Sequence, residues 1–190
     1  MCANRDKLQS EWLEANEKLE KQSQELFRLA TIDPLTGLLN RRELEVQAQR
    51  VIHQAARASS TFALFSIDVD FFKQVNDTHG HQAGDKVLIQ LAKVLTKGRR
   101  ANDLVARFGG EEFVLVLPDI VEEKALILAE KLRKAVGMIS IDNIKITISI
   151  GLVVTHKGTD VDLEQLIKLS DSALYDAKDA GRNRVALAKL

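Results

Sequence analysis

The feature that most constrains the fold of this chain is a pair of adjacent glycines between two apolar, strand-like runs. Gly109-Gly110 follows the run at 104–106 and precedes the run at 113–117. Such a pair predicts a tight hairpin turn, because the central residues of the favoured turns need a positive φ, which costs glycine nothing. Two carboxylates, Glu111 and Glu112, stand at the start of the second strand, although tightening a turn does not require them. We therefore predict a hairpin with acidic groups at its mouth.

Helical and strand patterns mix along the rest of the chain without a repeating β-α unit. Apolar spacing predicts helices over residues 41–58, 83–95, 121–136 and 163–179. Strands are predicted over residues 61–69, over 184–187 and over 144–150, where strict alternation indicates a half-buried strand. We expect an α+β fold, with a mostly antiparallel central sheet flanked by helices, rather than a doubly wound fold.

The first thirty residues differ from the rest: they are charged, rich in glutamine and free of Gly and Pro. Their apolar residues recur in steps of four and three, which is the heptad pattern of a coiled coil. One core position holds Trp12, Leu19 and Leu26, and the other holds Leu8, Ala15, Gln22 and Leu29. The narrow stripe favours a two-helix coiled coil; the alternative is a lone amphipathic helix packed on its own domain. Asp33-Pro34 should end the helix, because proline lacks a donor and restricts the residue before it.

Length and composition restrict the class of protein. At 190 residues the chain can hold one ordinary domain and a short extra element. Lys+Arg and Asp+Glu both number 27, so no net charge attracts nucleic acid or an anionic membrane. No apolar stretch is long enough to span a bilayer, and the N-terminus lacks a signal-peptide core. The single cysteine, Cys2, cannot form an internal disulfide, so we expect a cytoplasmic chain or the cytosolic part of a longer sensor protein.

A second acidic group follows the most apolar predicted strand. The run at 62–67 ends in Asp68-Val69-Asp70. A carboxylate at the end of a central strand must be solvated, paired or metal-bound. We predict that Asp70 is the N-cap of a helix that begins at Phe71. If the hairpin lies beside this strand, Asp68 and Glu111 can converge on one hard cation, and Mg²⁺ prefers such carboxylate oxygens.

Five segments together resemble the GGDEF family of diguanylate cyclases. Residues 107–113 read RFGGEEF, the GGEEF form of the family's glycine motif. The other four segments are DPLTGLLNRR at 33–42, DVDFFKQVND at 68–77, GHQAGD at 80–85 and YDAKDAGRN at 175–183. They occur in the family's order and at its spacings, and span nearly all of residues 31–190. The resemblance implies a fold similar to the palm of nucleotide cyclases and some polymerases. It also implies a GGDEF domain over 31–190, preceded by a signalling helix over 1–30.

Position by position, the resemblance implies a role for each site residue. Asp68, Glu111 and the backbone carbonyl of Val69 would hold Mg²⁺, for which Mn²⁺ could substitute. Glu111 or Glu112 would assist deprotonation of the attacking hydroxyl; the sequence leaves this choice open. GTP would be bound by the backbone amides of Phe71 and Phe72, by the close approach of Gly109 and Gly110, and by the side chains of Lys73, Asn76, His81, Asp85, Lys178 and Arg182.

These groups suit their implied ligands chemically. Asn76 and Asp85 can pair with the guanine edge, since a carboxylate accepts from the N1–H and N2–H₂ groups. Amides that open a helix, together with basic side chains, suit phosphate oxygens. The plainer alternative makes Lys178 and Arg182 an ordinary solvated pair near a helix end. The pair of His79 and His81 indicates a polar turn rather than a metal site.

A further match is the R-x-x-D pattern of Arg100 and Asp103, which resembles the family's inhibitory site for the cyclic dinucleotide product. An ordinary charged loop is the alternative. The implied activity joins two GTP molecules into cyclic di-GMP in a homodimer, with feedback from the product. Two other hypotheses remain: a catalytically silent GGDEF-like module that senses GTP or cyclic di-GMP, and a polymerase-like or adenylate-type cyclase palm.

Overall fold

The computed structural model describes residues 2–157 and 161–190. Its helices are α1 (Cys2–Thr31), α2 (Arg41–Ala58), α3 (Phe72–His79), α4 (His81–Thr96), α5 (Glu122–Gly137) and α6 (Leu163–Asp179). Its strands are β1 (Leu39–Asn40), β2 (Phe62–Val69), β3 (Leu104–Arg107), β4 (Glu112–Pro118), β5 (Ser140–Ile141), β6 (Ile144–Lys145), β7 (Ile148–Val154) and β8 (Val185–Ala188). Each predicted helix after the first thirty residues lies within two residues of its observed bounds.

The central sheet has six strands in the order β1-β3-β4-β2-β7-β8. The four inner strands pair antiparallel, and only the two edge strands, β1 and β8, pair parallel to their neighbours. Strands β5 and β6 form a separate two-stranded sheet. The mixed α+β architecture with a mostly antiparallel sheet is therefore confirmed.

Helices cover both faces of this sheet. On one face, apolar residues of α4 and α5 pack with inward-facing residues of β2, β4 and β7. On the other face, α2 and α6 pack against a second apolar cluster. Strand β2 lies between these layers, and all eight of its residues are buried. The polar residues at its end therefore sit where the buried core meets the open edge of the sheet.

The predicted strand over residues 144–150 is wrong in its bounds and in its exposure. Ile144–Lys145 belongs to the small β5–β6 sheet, and the central strand begins only at Ile148. All seven residues of β7 are buried, because the strand lies between β2 and β8 with helices on both faces. The hydroxyl of Ser149 is satisfied internally, so alternation of apolar and polar residues here does not mean alternation of core and solvent.

The hairpin exists, but its turn differs from the prediction. Strand β3 ends at Arg107 and β4 begins at Glu112, so the loop spans residues 108–111. The backbone N–H groups of Phe108 and Gly109 both donate to the carbonyl of Glu112. Neither glycine adopts the left-handed conformation, because this longer loop does not need it. Gly109 leaves space instead: a Cβ there would meet Oε2 of Glu112, and that flexible side chain would have to move.

Candidate active site

The candidate site lies at the strand ends on one side of the central sheet, where β2 ends and its neighbours β4 and β7 begin. These strand ends are called the sheet edge below. Asp68 is paired in register with Glu112 of β4, and Val69 with Ile148 of β7. Glu111 precedes β4 directly, so the antiparallel pairing brings it beside Asp68. The structure thus brings together the two carboxylates that the sequence proposes for one cation.

These carboxylates lie in a partly desolvated, mutually repulsive environment. The Asp68 side chain is 6% exposed, and its Oδ2 lies 2.8 Å from Nζ of Lys178. Burial raises the pKa of Asp68, and the hydrogen bond from Lys178 opposes that rise. Burial also raises the pKa of Glu111, and the negative charge of Asp68 adds to it. A buried carboxylate beside a half-buried one is costly, and a bound cation is one arrangement that relieves the cost.

The oxygen ligands at this site fit a hard divalent cation whose remaining coordination positions are filled by substrate and water. Among the described residues, no group of three or more His, Cys, Asp or Glu side chains forms a ready-made metal centre. Asp68, Glu111 and the Val69 carbonyl supply oxygen ligands only. Mg²⁺ accepts such a sparse protein set, because it commonly keeps waters and substrate phosphates as its remaining ligands.

Close packing of α6 on β7 brings the basic end of the helix to the site. A Cβ on Gly151 would collide with the backbone of Ser170 and Leu174, so only glycine permits this approach. Lys178, in the last turn of α6, consequently reaches Asp68. The guanidinium of Arg182 lies 4.6 Å from the centroid of the exposed Phe71 ring. Neither cation is therefore part of a simple solvated pair.

Asp70 does not cap a helix, so that prediction is wrong. Helix α3 begins at Phe72, and the residue before it, Phe71, has φ 57° and makes no side-chain cap. The Asp70 carboxylate instead accepts hydrogen bonds from the hydroxyls of Thr147 and Ser149 at 2.6 and 2.7 Å, and from the backbone N–H of Asn183 at 3.0 Å. At 4% exposure it joins β2, β7 and the loop after α6 into one rigid edge.

Sequence reasoning missed this positioning role for Asp70. The available signal was the spacing of the two acids, because residues i and i+2 of a strand point to the same face. The backbone N–H of Asp70 in fact donates to the carbonyl of Thr147, which continues the pairing of β2 beyond its last assigned residue.

A second group of predicted residues lies on the pair of helices after β2. Helices α3 and α4 meet at Gly80, whose φ of 83° allows the sharp change of direction. Asn76 of α3 faces the first turn of α4 so closely that a Cβ on Gly84 would collide with its Oδ1. Asp85 follows directly, and His81 begins α4. The structure thus gathers Asn76, His81 and Asp85 around one helix junction.

The remaining predicted phosphate ligands lie near this junction or on the hairpin. Lys73 is exposed on α3, and the start of α3 has no side-chain cap, which leaves its first amides without a side-chain acceptor.

The carbonyl of Gly110 accepts from Nε and Nη2 of Arg107 at 3.1 and 2.7 Å. The same guanidinium donates from Nη1 to the Asp33 carboxylate at 3.2 Å. These bonds connect the glycine loop to the segment that follows α1. The sequence analysis assigned no role to the ion pair of Arg107 and Asp33.

The predicted inhibitory residues lie away from the carboxylates, before the start of β3. The backbone N–H of Arg100 donates to Oδ2 of Asp103 at 2.9 Å, and the N–H of Asp103 donates to the carbonyl of Arg100 at 3.1 Å. These two bonds form a compact turn, with both residues lining a cleft of about 250 Å³. The turn is separated from the site at Asp68 by the length of the β3–β4 hairpin.

Comparisons with known proteins agree with this geometry. The family model described as diguanylate cyclase, GGDEF domain, matches residues 30–184. Diguanylate cyclase DgcM of Escherichia coli is 44% identical over 172 residues, which are 90% of this chain and 41% of that protein. Response regulator PleD of Caulobacter vibrioides is 40% identical over an alignment of 165 residues, which covers 84% of this chain and 36% of that protein. The chain thus spans less than half the length of these curated relatives.

A solved structure extends the similarity to the N-terminal helix. The crystal structure of the coiled coil and GGDEF domain of DgcB from Caulobacter crescentus, in complex with c-di-GMP, superposes with a TM-score of 0.87. It is 30% identical and covers 94% of this chain and 96% of that one. Within the described part of the chain, no helix is both long and apolar enough to cross a membrane.

Proposed function

Because this chain belongs to the GGDEF family, we propose that it is a diguanylate cyclase, which condenses two GTP molecules into cyclic di-GMP and two pyrophosphates. The observation that carries the proposal is the juxtaposition of Asp68 and Glu111 beside Lys178 at the sheet edge. The names of the curated relatives and the c-di-GMP complex of DgcB support the same activity and product.

The sheet edge would bind the triphosphate. Mg²⁺, or Mn²⁺ in its place, held by Asp68, Glu111 and the Val69 carbonyl, would act as a Lewis acid on the transferring phosphoryl group. The amides of Phe71 and Phe72 and the side chain of Lys73 would bind phosphate oxygens at the start of α3. Lys178 and Arg182 would neutralise further charge from the other side, and the small Gly109 and Gly110 would let the ribose and α-phosphate approach.

The reaction requires two domains, because one site binds one GTP. We propose that two chains form a homodimer, in which each 3′-hydroxyl attacks the α-phosphorus of the other GTP in line with its leaving pyrophosphate. Glu111, or Glu112 as the alternative, would take the proton of the attacking hydroxyl; burial and the charge of Asp68 raise the pKa of Glu111, in the direction that a general base needs. The α-phosphate oxygens would gain charge in the transition state, close to the cationic side chains that stabilise it.

Guanine selectivity would come from the helix junction, and Gly84→Ala tests it. The new Cβ would occupy the position of Asn76 Oδ1, so Asn76 must turn away from its present place. Alanine favours the helix more than glycine does, so the substitution does not weaken α4. A loss of GTP binding would therefore come from the displacement of Asn76. We expect GTP affinity to fall about tenfold, as for one lost hydrogen bond to a buried base edge. Titration calorimetry with Mg and a non-hydrolysable GTP analogue measures this.

The matched control is Gly137→Ala, at the end of α5, where a Cβ would meet no atom within 4 Å. It makes the same chemical change without displacing Asn76 and should bind the analogue as the parent does. Equal affinity in Gly84→Ala and Gly137→Ala would show that Asn76 does not bind guanine. Discrimination of the parent against ATP provides a second test, because an adenine edge offers the wrong donors to Asp85.

Incubation with Mg-GTP, followed by chromatography of the products, tests the function itself. Cyclic di-GMP with two equivalents of pyrophosphate supports the cyclase. A silent sensor module would bind nucleotide and release no pyrophosphate. A polymerase-like or adenylate-type palm would give a linear product or a cyclic mononucleotide.

We also propose product feedback through Arg100 and Asp103. Arg100→Ala should keep progress curves straight at product concentrations that slow the parent, because a guanidinium that can grip a guanine edge or phosphate is lost. The measurement is pyrophosphate release over time with and without added cyclic di-GMP. Lys97→Ala, a neighbouring exposed cation, is the control and should keep the parent's curvature. Identical slowing in all three proteins would reduce the R-x-x-D pattern to an ordinary loop.

The division into a signalling helix over residues 1–30 and a catalytic domain over 31–190 belongs to the same proposal. The helix would receive a signal and set the encounter of two GTP-loaded domains in the cytoplasm.

A further inference from the structure

The residue before the R-x-x-D turn, Arg99, has an unsatisfied polar atom. It follows Gly98, which has a φ of 72°, and its backbone N–H donates to the carbonyl of Thr96 at 3.1 Å. The side chain is half-buried, and its Nε is buried without a hydrogen-bond partner. Among the residues whose side chains the structure describes, no other buried side-chain nitrogen or oxygen is unsatisfied in this way. Such an atom needs a physical reason, because an unmade hydrogen bond to a buried charged group is costly.

The charges around Arg99 do not compensate for its burial. Burial lowers the pKa of Arg99, and the positive charge of Arg100 acts in the same direction. Asp103 is the one neighbour that opposes them, and its Oδ2 already accepts the backbone N–H of Arg100. Arginine does not deprotonate in proteins, so the positive charge persists. Asp103 is thus a single carboxylate beside two arginines.

Arg99 lines the same cleft as the R-x-x-D pair. Three cations and one carboxylate meet there: Arg99, Arg100, Lys131 and Asp103. The rest of the lining is mainly apolar and includes Leu117, Pro118, Ile120 and Leu128. A volume of about 250 Å³ can take part of a nucleotide rather than a whole dinucleotide. A lining that combines apolar side chains with cations suits a ligand that has a flat base and a phosphodiester.

We propose that Arg99 is a phosphate ligand of the product site, so that a cyclic dinucleotide is held by Arg99 as well as by Arg100 and Asp103. The inference rests on the proposed function, which supplies the ligand, but it adds a residue that lies outside the R-x-x-D pattern. A phosphodiester oxygen would satisfy the free Nε and neutralise the charge that Asp103 leaves unbalanced. Because Nε is buried in the free chain, the side chain would turn toward the cleft as the anion binds, and Nε has no hydrogen bond to break in doing so.

A purely structural role predicts something different. If the aliphatic stem of Arg99 only covers the apolar lining, then removing the guanidinium should leave ligand affinity unchanged. Methionine separates the two roles, because it keeps an unbranched apolar side chain and removes the charge. Lys97→Met is the matched control: Lys97 is exposed, lies two residues away and does not line the cleft.

The experiment is titration calorimetry of synthetic cyclic di-GMP into the full chain without GTP, combined with thermal unfolding of each unliganded variant. We expect Arg99→Met to weaken binding about tenfold to a hundredfold, the range for a lost hydrogen bond to a charged group. Arg99→Lys should recover part of that loss, because it keeps the charge without the planar fork. Lys97→Met should stay within about twofold of the parent, since exposed charges contribute little. Unliganded Arg99→Met should melt at or above the parent temperature, because an unpaired half-buried charge is gone.

Parent-like affinity in Arg99→Met would overturn the inference, as would a parent that binds no supplied cyclic di-GMP. A loss of affinity that accompanies a clear fall in melting temperature, without partial recovery in Arg99→Lys, would overturn it too. The proposed cyclase activity is tested separately by product formation from Mg-GTP. A chain that makes no product but binds supplied cyclic di-GMP through Arg99 would contradict the cyclase and support this inference.

Discussion

Glu111→Gln should lower the rate of cyclic di-GMP formation by about a hundredfold or more, because general-base catalysis alone contributes at least that much. The substitution keeps the size of the side chain and removes both a charged ligand and the candidate base. The rate is measured by chromatography at fixed Mg-GTP and fixed protein concentration. Glu112→Gln, made in parallel, identifies which carboxylate takes the proton. Glu123→Gln, on an exposed turn of α5, is the matched control and should keep the parent rate.

The same variant should not lose stability. Burial and Asp68 raise the pKa of Glu111, so the folded protein binds a proton at this site more readily than the unfolded chain does. The contribution of this group therefore falls as pH rises from the ordinary carboxyl pKa through the raised one. Glutamine removes that dependence, so the melting temperature of Glu111→Gln should fall less across this interval than that of the parent. A Glu111→Gln protein as active as the parent would overturn the assignment of the site.

Local patterns were sufficient to predict most of the fold. The helices over 41–58 and 163–179 were predicted at their observed bounds, because their apolar faces pack on one sheet face and keep a regular helical period. Strand β2 could be predicted as central, because eight successive buried positions need apolar residues on both faces. The hairpin predicted the pairing of β3 with β4 but not that of β4 with β2, which the structure adds and which brings Glu111 beside Asp68.

Features that depend on distant partners could not be predicted. Asp70 has the local features of a helix cap, but its partners Thr147, Ser149 and Asn183 lie 77 to 113 residues away. The spacing of Asp68 and Asp70 indicates only that both can share a face of an extended strand. The choice between capping and cross-strand bonding depends on the sheet order, which no local pattern specifies. Gly151 lies in a strand where its residue type has no local explanation, and only the packing of α6 gives one. The orphaned Nε of Arg99 likewise depends on how the segment after α4 is covered.

The pairing of Lys178 with Asp68 shows a different limit of prediction from sequence. The family resemblance places Lys178 and Asp68 in one site, but it assigns the lysine to phosphate. In the structure the lysine satisfies the aspartate, which is otherwise a buried carboxylate with a raised pKa. One side chain can hold the site together without substrate and turn to the phosphates with it, since lysine is a flexible point charge.

The second large effect should come from removing the N-terminal helix. Deletion of residues 1–30 should leave a folded domain, because both apolar clusters of the core lie outside α1. Its specific activity should rise steeply with protein concentration, whereas that of the full chain should stay nearly constant. The physical reason is effective concentration: two tethered domains meet as if at about millimolar concentration, and free domains in an assay do not.

The surface of α1 supports this expectation. Trp12, Leu19 and Leu26, which share one predicted core position, are 62%, 64% and 67% exposed in the single chain. Leu29 of the other core position is 58% exposed, and the side chain of Leu8 lies outside the described residues. A helix of thirty residues with this apolar stripe uncovered is only marginally stable alone, so pairing with a second copy would contribute much of its order.

Single substitutions can show whether activity depends on the pairing of two helices or only on the presence of the helix. Leu19→Lys places a charge in the apolar seam and should make activity concentration-dependent, as truncation does. Gln24→Lys adds a positive charge on the opposite side of the helix and should behave as the full chain does. Gln22 lies within the seam, where a polar residue costs stability but favours one register, so Gln22→Leu should strengthen the dimer. Sedimentation and activity are measured over the same dilution series. Equal dimerisation and concentration-independent activity in the truncated chain would mean that the domain pairs through another surface and that the heptads serve a different partner.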